Sequence, residues 1–401
     1  AAILGEVASG GDAALASLTE RFDGVVPSSL RVDPQVCADA LAAQTPQVRT
    51  ALEAAAARIR AYHEAQVRPP HTTSANGVRV EGRSVPVRRA GCYVPGGRAA
   101  YPSTVLMTAI PASVAGVADI VLCVPPDATT GEVAPVTLAA AAVAGVGEVY
   151  AVGGAQAIAA LAYGTETIPA VDVICGPGNV YVALAKQMVA GTVGIAAAFA
   201  GPSEIVVVAD DTAPPAFVAA DLLVQAEHGP DGLAWLITFS PDTADAVDAE
   251  LAAMVAAAPR ADDIAATLAT NGWCVLVDGP EAALAVANAV APEHLQLMCD
   301  GAAGLVDGVR NAGAVFVGPW SPASLGDYAA GPSHVLPTHG SARFASALGV
   351  DDFTKQVHIV EATQGGFGPL GDVVEVLAAA EGLDAHAESI RVRRASNGNP
   401  S

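Results

Sequence analysis

The chain has 401 residues, 52% of them hydrophobic, and a formal net charge of −22 at pH 7. That length exceeds what one hydrophobic core usually serves and predicts at least two domains. The acidic balance, with Lys186 and Lys355 the only lysines, argues against nucleic acid or anionic lipid as a partner.

Residues 11–22 and 34–66 read as helices, the second interrupted at Thr45-Pro46 because proline does not continue a helix from within. Gly77 to Val94 reads as extended, with alternation in Val78-Arg79-Val80 and Val85-Pro86-Val87-Arg88. From there strand and helix signals alternate. Strands are expected at 118–124, 147–152, 171–175, 204–209, 233–239, 273–278 and 313–317. Helices are expected at about 103–115, 133–144, 155–164, 179–190, 214–227, 242–257, 280–290 and 301–311. Such alternation predicts an α/β fold of parallel sheets covered by helices. Two groups suggest themselves, one around 93–203 and one from 204 onward, with the early helices joining the second. From about 350, a strand-like Gln356-Val357-His358-Ile359-Val360 and two helices read as an appendage.

Ser103 to Pro126 and Ala134 to Ala162 are apolar enough to suggest membrane spans. Each is broken by Gly or Pro and carries one acid, Asp119 or Glu148, so a buried α/β core explains them better. The opening Ala1-Ala2-Ile3-Leu4-Gly5-Glu6 lacks the basic-then-apolar form of a signal peptide and an initiating Met, which suggests a truncated start. Six cysteines are scattered without metal or redox spacing, as expected of free thiols in a reducing cytoplasm. Cys92 and Cys175 adjoin Gly-rich turns and raise a thiol mechanism for aldehyde oxidation. No basic neighbour is visible in sequence to activate them.

Gly153-Gly154 follows a strand and opens a helix, which is half a phosphate-binding turn. Gly176-Pro177-Gly178-Asn179 repeats the arrangement. No Gly-x-Gly-x-x-Gly is followed by an acid about 20 residues on. Each turn also reads as a plain strand–helix connection. A nucleotide is permitted but not identified.

Gln225 and His228 lie three apart at the end of an apolar helical run, on one helix face. A carbonyl oxygen and an imidazole projecting together form half a site for a cation such as zinc. The same pair also suits ordinary surface or core positions. Glu293-His294 sets an acid beside an imidazole just after Ala291-Pro292, where a helix should stop. Two adjacent bases can serve two different proton transfers.

The chain resembles histidinol dehydrogenase from about Gly10 to about Arg394. The likeness is carried by Gly91-Cys92-Tyr93-Val94-Pro95-Gly96-Gly97, Gly153-Gly154-Ala155-Gln156-Ala157 and Gly176-Pro177-Gly178-Asn179. Further on come Ala200-Gly201-Pro202-Ser203-Glu204, Gln225-Ala226-Glu227-His228-Gly229-Pro230 and Pro292-Glu293-His294-Leu295. Gly326-Asp327-Tyr328, His334-Val335-Leu336-Pro337-Thr338 and Glu381-Gly382-Leu383-Asp384-Ala385-His386 complete the set.

The resemblance implies two incomplete Rossmann-like parallel-sheet domains packed together, plus a small C-terminal helical and extended appendage. Residues 1–92 and 204–349 would form a discontinuous substrate and metal domain. Residues 93–203 would bind NAD, and 350–401 would serve dimerisation. It also implies a homodimer in which the C-terminal segment reaches the partner's site. One zinc per chain would be held by Gln225, His228, Asp327 and His386. NAD would be contacted by Tyr93, Gln156 and Asn179. The implied activity is oxidation of L-histidinol through L-histidinaldehyde to L-histidine, with two NAD and one water. Ser203, His334 and Glu381 would contact the substrate beside the metal ligands and His294.

That chemistry accounts for the residue types. An imidazole suits removal of the alcohol proton as hydride leaves, which assigns His294. A second base must activate water on the aldehyde, which assigns Glu293. One departure is Ser333, where many members have Asn. Two alternatives are a related zinc- and NAD-dependent dehydrogenase of another small polar alcohol, and a non-catalytic metal-binding assembly protein. The Glu293-His294 pair argues against the second.

Overall fold

The computed structural model describes residues 1–25, 28–96, 99–197, 203–227, 229 and 232–397. They form two compact units, residues 1–67 with 87–353, and residues 68–86 with 354–401.

The chain opens with α1 (Ala2–Asp23), β1 (Arg31–Val32), α2 (Pro34–Ala43) and α3 (Pro46–Glu64). A hairpin of β2 (His71–Ala75) and β3 (Val78–Pro86) follows. The first alternating run is β4 (Arg89–Tyr93), α4 (Pro102–Ala115), β5 (Asp119–Val124), α5 (Pro135–Ala144) and β6 (Glu148–Ala151). It continues through α6 (Gly154–Tyr163), β7 (Val173–Cys175), α7 (Val180–Val189) and β8 (Gly194–Ile195). The second run is β9 (Glu204–Ala209), α8 (Pro215–Ala226), β10 (Leu233–Thr238), α9 (Pro241–Ala257), α10 (Ala261–Asn271) and β11 (Gly272–Leu276). It ends with α11 (Pro280–Val290), β12 (His294–Met298), α12 (Ala302–Leu305), β13 (Ala314–Val317) and α13 (Ala323–Tyr328). β14 (Thr354–Ala362), α14 (Gln364–Glu381) and α15 (Asp384–Asn397) close the chain.

Local chemistry sets the helix starts. Asp33 accepts the Gln35 N–H at 2.8 Å and Thr45 the Val48 N–H at 3.3 Å, each followed by a proline in the first helical turn. An oxygen cap and a proline with preset φ begin a helix well, so residues 34–66 divide into α2 and α3 at Thr45-Pro46.

In the larger unit the first sheet has the order β1-β6-β5-β4-β7-β8, parallel except for β1. The order reverses between β4 and β7, which opens a crevice at their carboxyl ends. The second sheet is wholly parallel, β11-β10-β9-β12-β13. Ile205 and Val207 of β9 enter one core, and Val206 and Val208 the other. Burial on both faces is why these strands read as unbroken apolar runs.

Three features differ from the sequence reading. Residues 1–67 clothe the first sheet rather than joining the second. α1 packs on α6, α2 on α5, and α3 on α4. Leu4, Val7, Leu15 and Leu18 share a core with Ile158 and Leu161; an amphipathic stripe announces that a face is covered, not by what. The expected C-terminal appendage is present, but residues 68–86, read as part of the earlier domain, belong with it. β14 pairs antiparallel with β3 from Thr354↔Pro86 to Ala362↔Val78, which draws residues 68–86 into the smaller unit. Finally, β12 was not among the expected strands, although His294-Leu295-Gln296-Leu297 alternates polar and apolar residues.

α4 carries Pro111 in its interior. Proline has no N–H to give the Met107 carbonyl one turn earlier. The Ser333 hydroxyl donates to that carbonyl instead, at 3.1 Å, which gives the unusual serine a structural task. The apolar stretch from Ser103 is α4 followed by β5. Among the described residues no helix is long and apolar enough to cross a membrane.

Candidate active site

His294 and Glu293 stand at the amino edge of the second sheet, His294 in register with Ile205 of β9 and Ala314 of β13. Both are buried. The Glu204 N–H donates to Glu293 Oε2 at 2.9 Å, and the Glu293 N–H returns a longer bond to Glu204 Oε2 at 3.4 Å. Glu204 Oε1 also accepts the His339 N–H at 3.0 Å. His294 Nδ1 lies 3.0 Å from the Glu204 carbonyl oxygen. A carbonyl can only accept, so Nδ1 carries the hydrogen and Nε2 is left to exchange protons.

Nε2 faces Asp327 Oδ1 at 3.2 Å, and the ring stacks on Phe316. Burial disfavours a charged ring, but the Glu293 and Asp327 carboxylates outweigh it and lift the His294 pKa well above the ordinary imidazole value. Burial, together with the charge of Glu293, raises Glu204.

Asp327 sits on the short helix α13. His334 Nδ1 bonds the Asp327 carbonyl at 2.8 Å, and its Nε2 meets Thr104 Oγ1 at 3.1 Å. Burial pushes the His334 pKa down. Thr104 lies in the first turn of α4, over the first sheet. A chain Thr104, His334, Asp327, His294, Glu204 therefore runs from one sheet to the other. Asp327 and His334 also line a cavity of about 410 Å³. Ser203 directly precedes β9 and Glu204.

Gln225 lies in the last turn of α8, which packs against α13. It is 1% exposed, and neither its Oε1 nor its Nε2 has a hydrogen-bond partner among the described residues. A buried amide without partners costs roughly 1–3 kcal/mol per group. A cation accepting the carbonyl oxygen would account for its placement, so this residue fits the expected donor set. His228 lies outside the described residues. His386 and Glu381 are exposed and belong to the smaller unit. Among the described residues no group of three or more His, Cys, Asp or Glu is arranged to hold a metal. Of the four expected ligands, that leaves Asp327 as the single residue of those types described in the larger unit. One turn before Gln225, burial pushes Asp221 up to about 6.

Tyr93, Gln156 and Asn179 line one cavity of about 810 Å³ over the carboxyl ends of the first sheet. The Tyr93 hydroxyl accepts the Gly154 N–H at 3.1 Å, and burial pushes its pKa up to about 12. Asn179 caps α7 by accepting the Tyr181 and Val182 N–H groups at 3.0 and 3.1 Å. Gln156 is 1% exposed with Nε2 unpaired among the described residues. Gly176 has φ 104°, and a Cβ there would overlap the Tyr93 carbonyl oxygen, so only glycine fits this turn.

Beneath that turn lies a residue the sequence did not single out. Lys186 is fully buried and donates to the Gly176 carbonyl at 2.8 Å. Burial pushes its pKa down to about 8. It is the basic neighbour of Cys175 that sequence alone did not reveal. Cys92, 3.7 Å away Sγ to Sγ, and burial nonetheless push the Cys175 thiol well up. Thiols kept protonated are poor nucleophiles.

A doubly wound sheet with a cavity at its carboxyl edge, in the same unit as a buried acid–imidazole pair, is the arrangement of a dinucleotide-using α/β oxidoreductase. The family profile described as histidinol dehydrogenase matches residues 1–394. The histidinol dehydrogenase of Parasynechococcus marenigrum (strain WH8102) is 48% identical over 393 residues, 98% of this chain and 89% of that protein. The crystal structure of histidinol dehydrogenase from Elizabethkingia anophelis is 37% identical with a TM-score of 0.95, over 99% of this chain and 92% of that one. An acetylating aldehyde dehydrogenase from Geobacillus thermoglucosidasius, 13% identical with a TM-score of 0.52, shares the fold alone. The chain belongs to the histidinol dehydrogenase family.

Proposed function

We propose that this protein catalyses the zinc- and NAD-dependent four-electron oxidation of L-histidinol, through L-histidinaldehyde, to L-histidine. The observation that supports this reading best is the fixed Glu293–His294 pair facing Asp327. Gln225, His228, Asp327 and a second copy's His386 are the residues to hold zinc. When bound, zinc supplies an anchor for the substrate's imidazole and amino nitrogens, and NAD supplies the hydride acceptor.

With Asp327 committed to a cation, one of the two charges that hold His294 protonated would be withdrawn; Nε2 then takes the alcohol proton, while its Nδ1–H, held by the Glu204 carbonyl, keeps the ring oriented. Glu293, fixed by the Glu204 N–H, takes the proton of the water that hydrates the aldehyde. Fixed donors and acceptors lower the entropic cost of both transfers. Ser203, His334 and Glu381 contact the substrate, and Tyr93, Gln156 and Asn179 the dinucleotide. In this reading residues 93–203 carry the dinucleotide, 204–349 the substrate and metal, and 350–401 a cytoplasmic homodimer's shared contact.

Incubation with zinc, NAD and a panel of small polar alcohols tests the reading. Two NADH and one L-histidine per L-histidinol are expected. Preference for another alcohol would overturn the substrate, and no turnover of any would overturn the activity.

A further inference from the structure

We propose that Asp23 reads the adenosine ribose of the dinucleotide and makes this protein selective for NAD over NADP. The proposal rests on the dinucleotide reading of the cavity that holds Tyr93, Gln156 and Asn179.

Asp23 lines that cavity as the last residue of α1, the helix that packs on α6. Its Oδ2 is buried and has no hydrogen-bond partner among the described residues. Burial accordingly raises its pKa above the usual aspartate value, as expected of a carboxylate short of donors. Its position does nothing for the helix. An acid in the last turn opposes the helix dipole, and the C-cap is Gly24 in the left-handed conformation. A side chain that works against both its helix and its own desolvation calls for another reason to be there.

The cavity supplies that reason. In doubly wound domains an acid near the dinucleotide crevice accepts the hydrogen of the ribose 2′-hydroxyl. The usual place is just after the second strand of the unit, here after β5, where Asp127 also lines the cavity. Asp127 is already engaged, because its Oδ1 accepts the Thr129 and Thr130 N–H groups at 2.9 and 3.0 Å. Asp23 brings the unused acceptor from outside the sheet. An ionised carboxylate accepts and never donates, so a ribose hydroxyl suits it. A 2′-phosphate would instead place its negative charge beside two aspartates. Among the described residues lining the cavity there is no Arg or Lys to receive it.

The test is calorimetric titration of the wild-type protein, Asp23→Asn and Asp23→Ser with NAD, NADP and NAD lacking the adenosine 2′-hydroxyl. A hydrogen bond to a charged group corresponds to roughly a tenfold to hundredfold change in affinity. Removing the 2′-hydroxyl should weaken wild-type binding by about that factor, and Asp23→Asn binding by less than about twofold. The preference for NAD over NADP should narrow in both variants. An equal loss in wild type and variant, or wild-type binding of NADP as tight as NAD, overturns the proposal. If Asp23→Asn fails to fold, Asp23→Ser carries the same comparison, and wild-type protein that binds NAD no tighter than NAD lacking the 2′-hydroxyl overturns the proposal without either variant. Failure of the wild-type protein to bind NAD overturns the cofactor reading itself, and the selectivity with it.

Discussion

Replacing Gln225 with methionine should make the metal-free protein more stable and the metal-loaded protein less so. Methionine has nearly the same shape as glutamine, so packing changes little. In the wild type, two buried amide atoms have no partner among the described residues. Removing both relieves roughly 2–4 kcal/mol, taking about 1–3 kcal/mol per unsatisfied group and allowing for partial relaxation. Unfolding entropy of about 2.1 cal/mol/K per residue over 401 residues comes to roughly 0.8 kcal/mol/K. The chelator-treated variant should therefore melt roughly 2–5 °C above the wild type. With zinc in thousandfold excess over its dissociation constant, the wild type should gain about 4 kcal/mol. The variant should gain little, so the order of the two melting curves inverts. Scanning calorimetry with chelator and with zinc, paired with metal analysis, reads both halves. A chelator-treated variant melting below the wild type would show that the amide is satisfied and refute the argument.

Glu293→Gln should pass the first hydride at near wild-type rate and oxidise L-histidinaldehyde slowly, whereas His294→Asn should impair alcohol oxidation most; single-turnover NADH formation separates them, and equal loss in both steps for Glu293→Gln contradicts the division. Glu204→Gln keeps the backbone carbonyl behind His294 but gives up one of two accepted N–H bonds. It should cost about tenfold in kcat with KM within roughly twofold, and an unchanged kcat rejects Glu204 as a positioning residue. Mixing His228→Ala with His386→Ala should restore about a quarter of wild-type activity if sites are shared across a dimer, since half the dimers are mixed and each has one intact site. No recovery, with subunit exchange confirmed, places His386 in its own chain's site. Lys186, shifted from 10.5 to about 8 by burial, binds fewer protons folded than unfolded between those values, so its contribution raises stability as pH climbs through that window. Urea unfolding of wild type against Lys186→Met should show a relative gain of about 3 kcal/mol from pH 8 to 10.5; parallel curves would mean that Lys186 is not so perturbed.

Much of the framework is legible because parallel strands buried on both faces leave continuous apolar runs, as in Ile205 to Ala209. Proline and an oxygen cap mark the starts of α2 and α3 just as plainly. β12 is harder to read, because its alternation of His294, Leu295, Gln296 and Leu297 suggests a half-exposed strand, whereas both faces are buried. The sheet covered by α1, α2 and α3 is hidden for a different reason: a buried stripe encodes burial, not its partner. At the site, the adjacency of Glu293 and His294 is visible in sequence. The part played by Glu204 is not, because it depends on register between β9 and β12. Lys186 likewise reads as an ordinary helical lysine until the Gly176 turn is seen to close over it.

The interior proline of α4 bears on how the larger unit holds together. With Pro111 in place, the helix covering the first sheet cannot complete its own hydrogen bonding. The missing donor arrives from Ser333, on the loop that also presents His334 to Asp327. One sheet's cover is therefore finished only when the segment following the other sheet has docked. The bond thus couples two sheets that have separate cores, beside the contact of His334 with Thr104. Positions 111 and 333 should also behave as an epistatic pair: alanine at 111 gives the helix back its own donor, and serine at 333 then becomes dispensable.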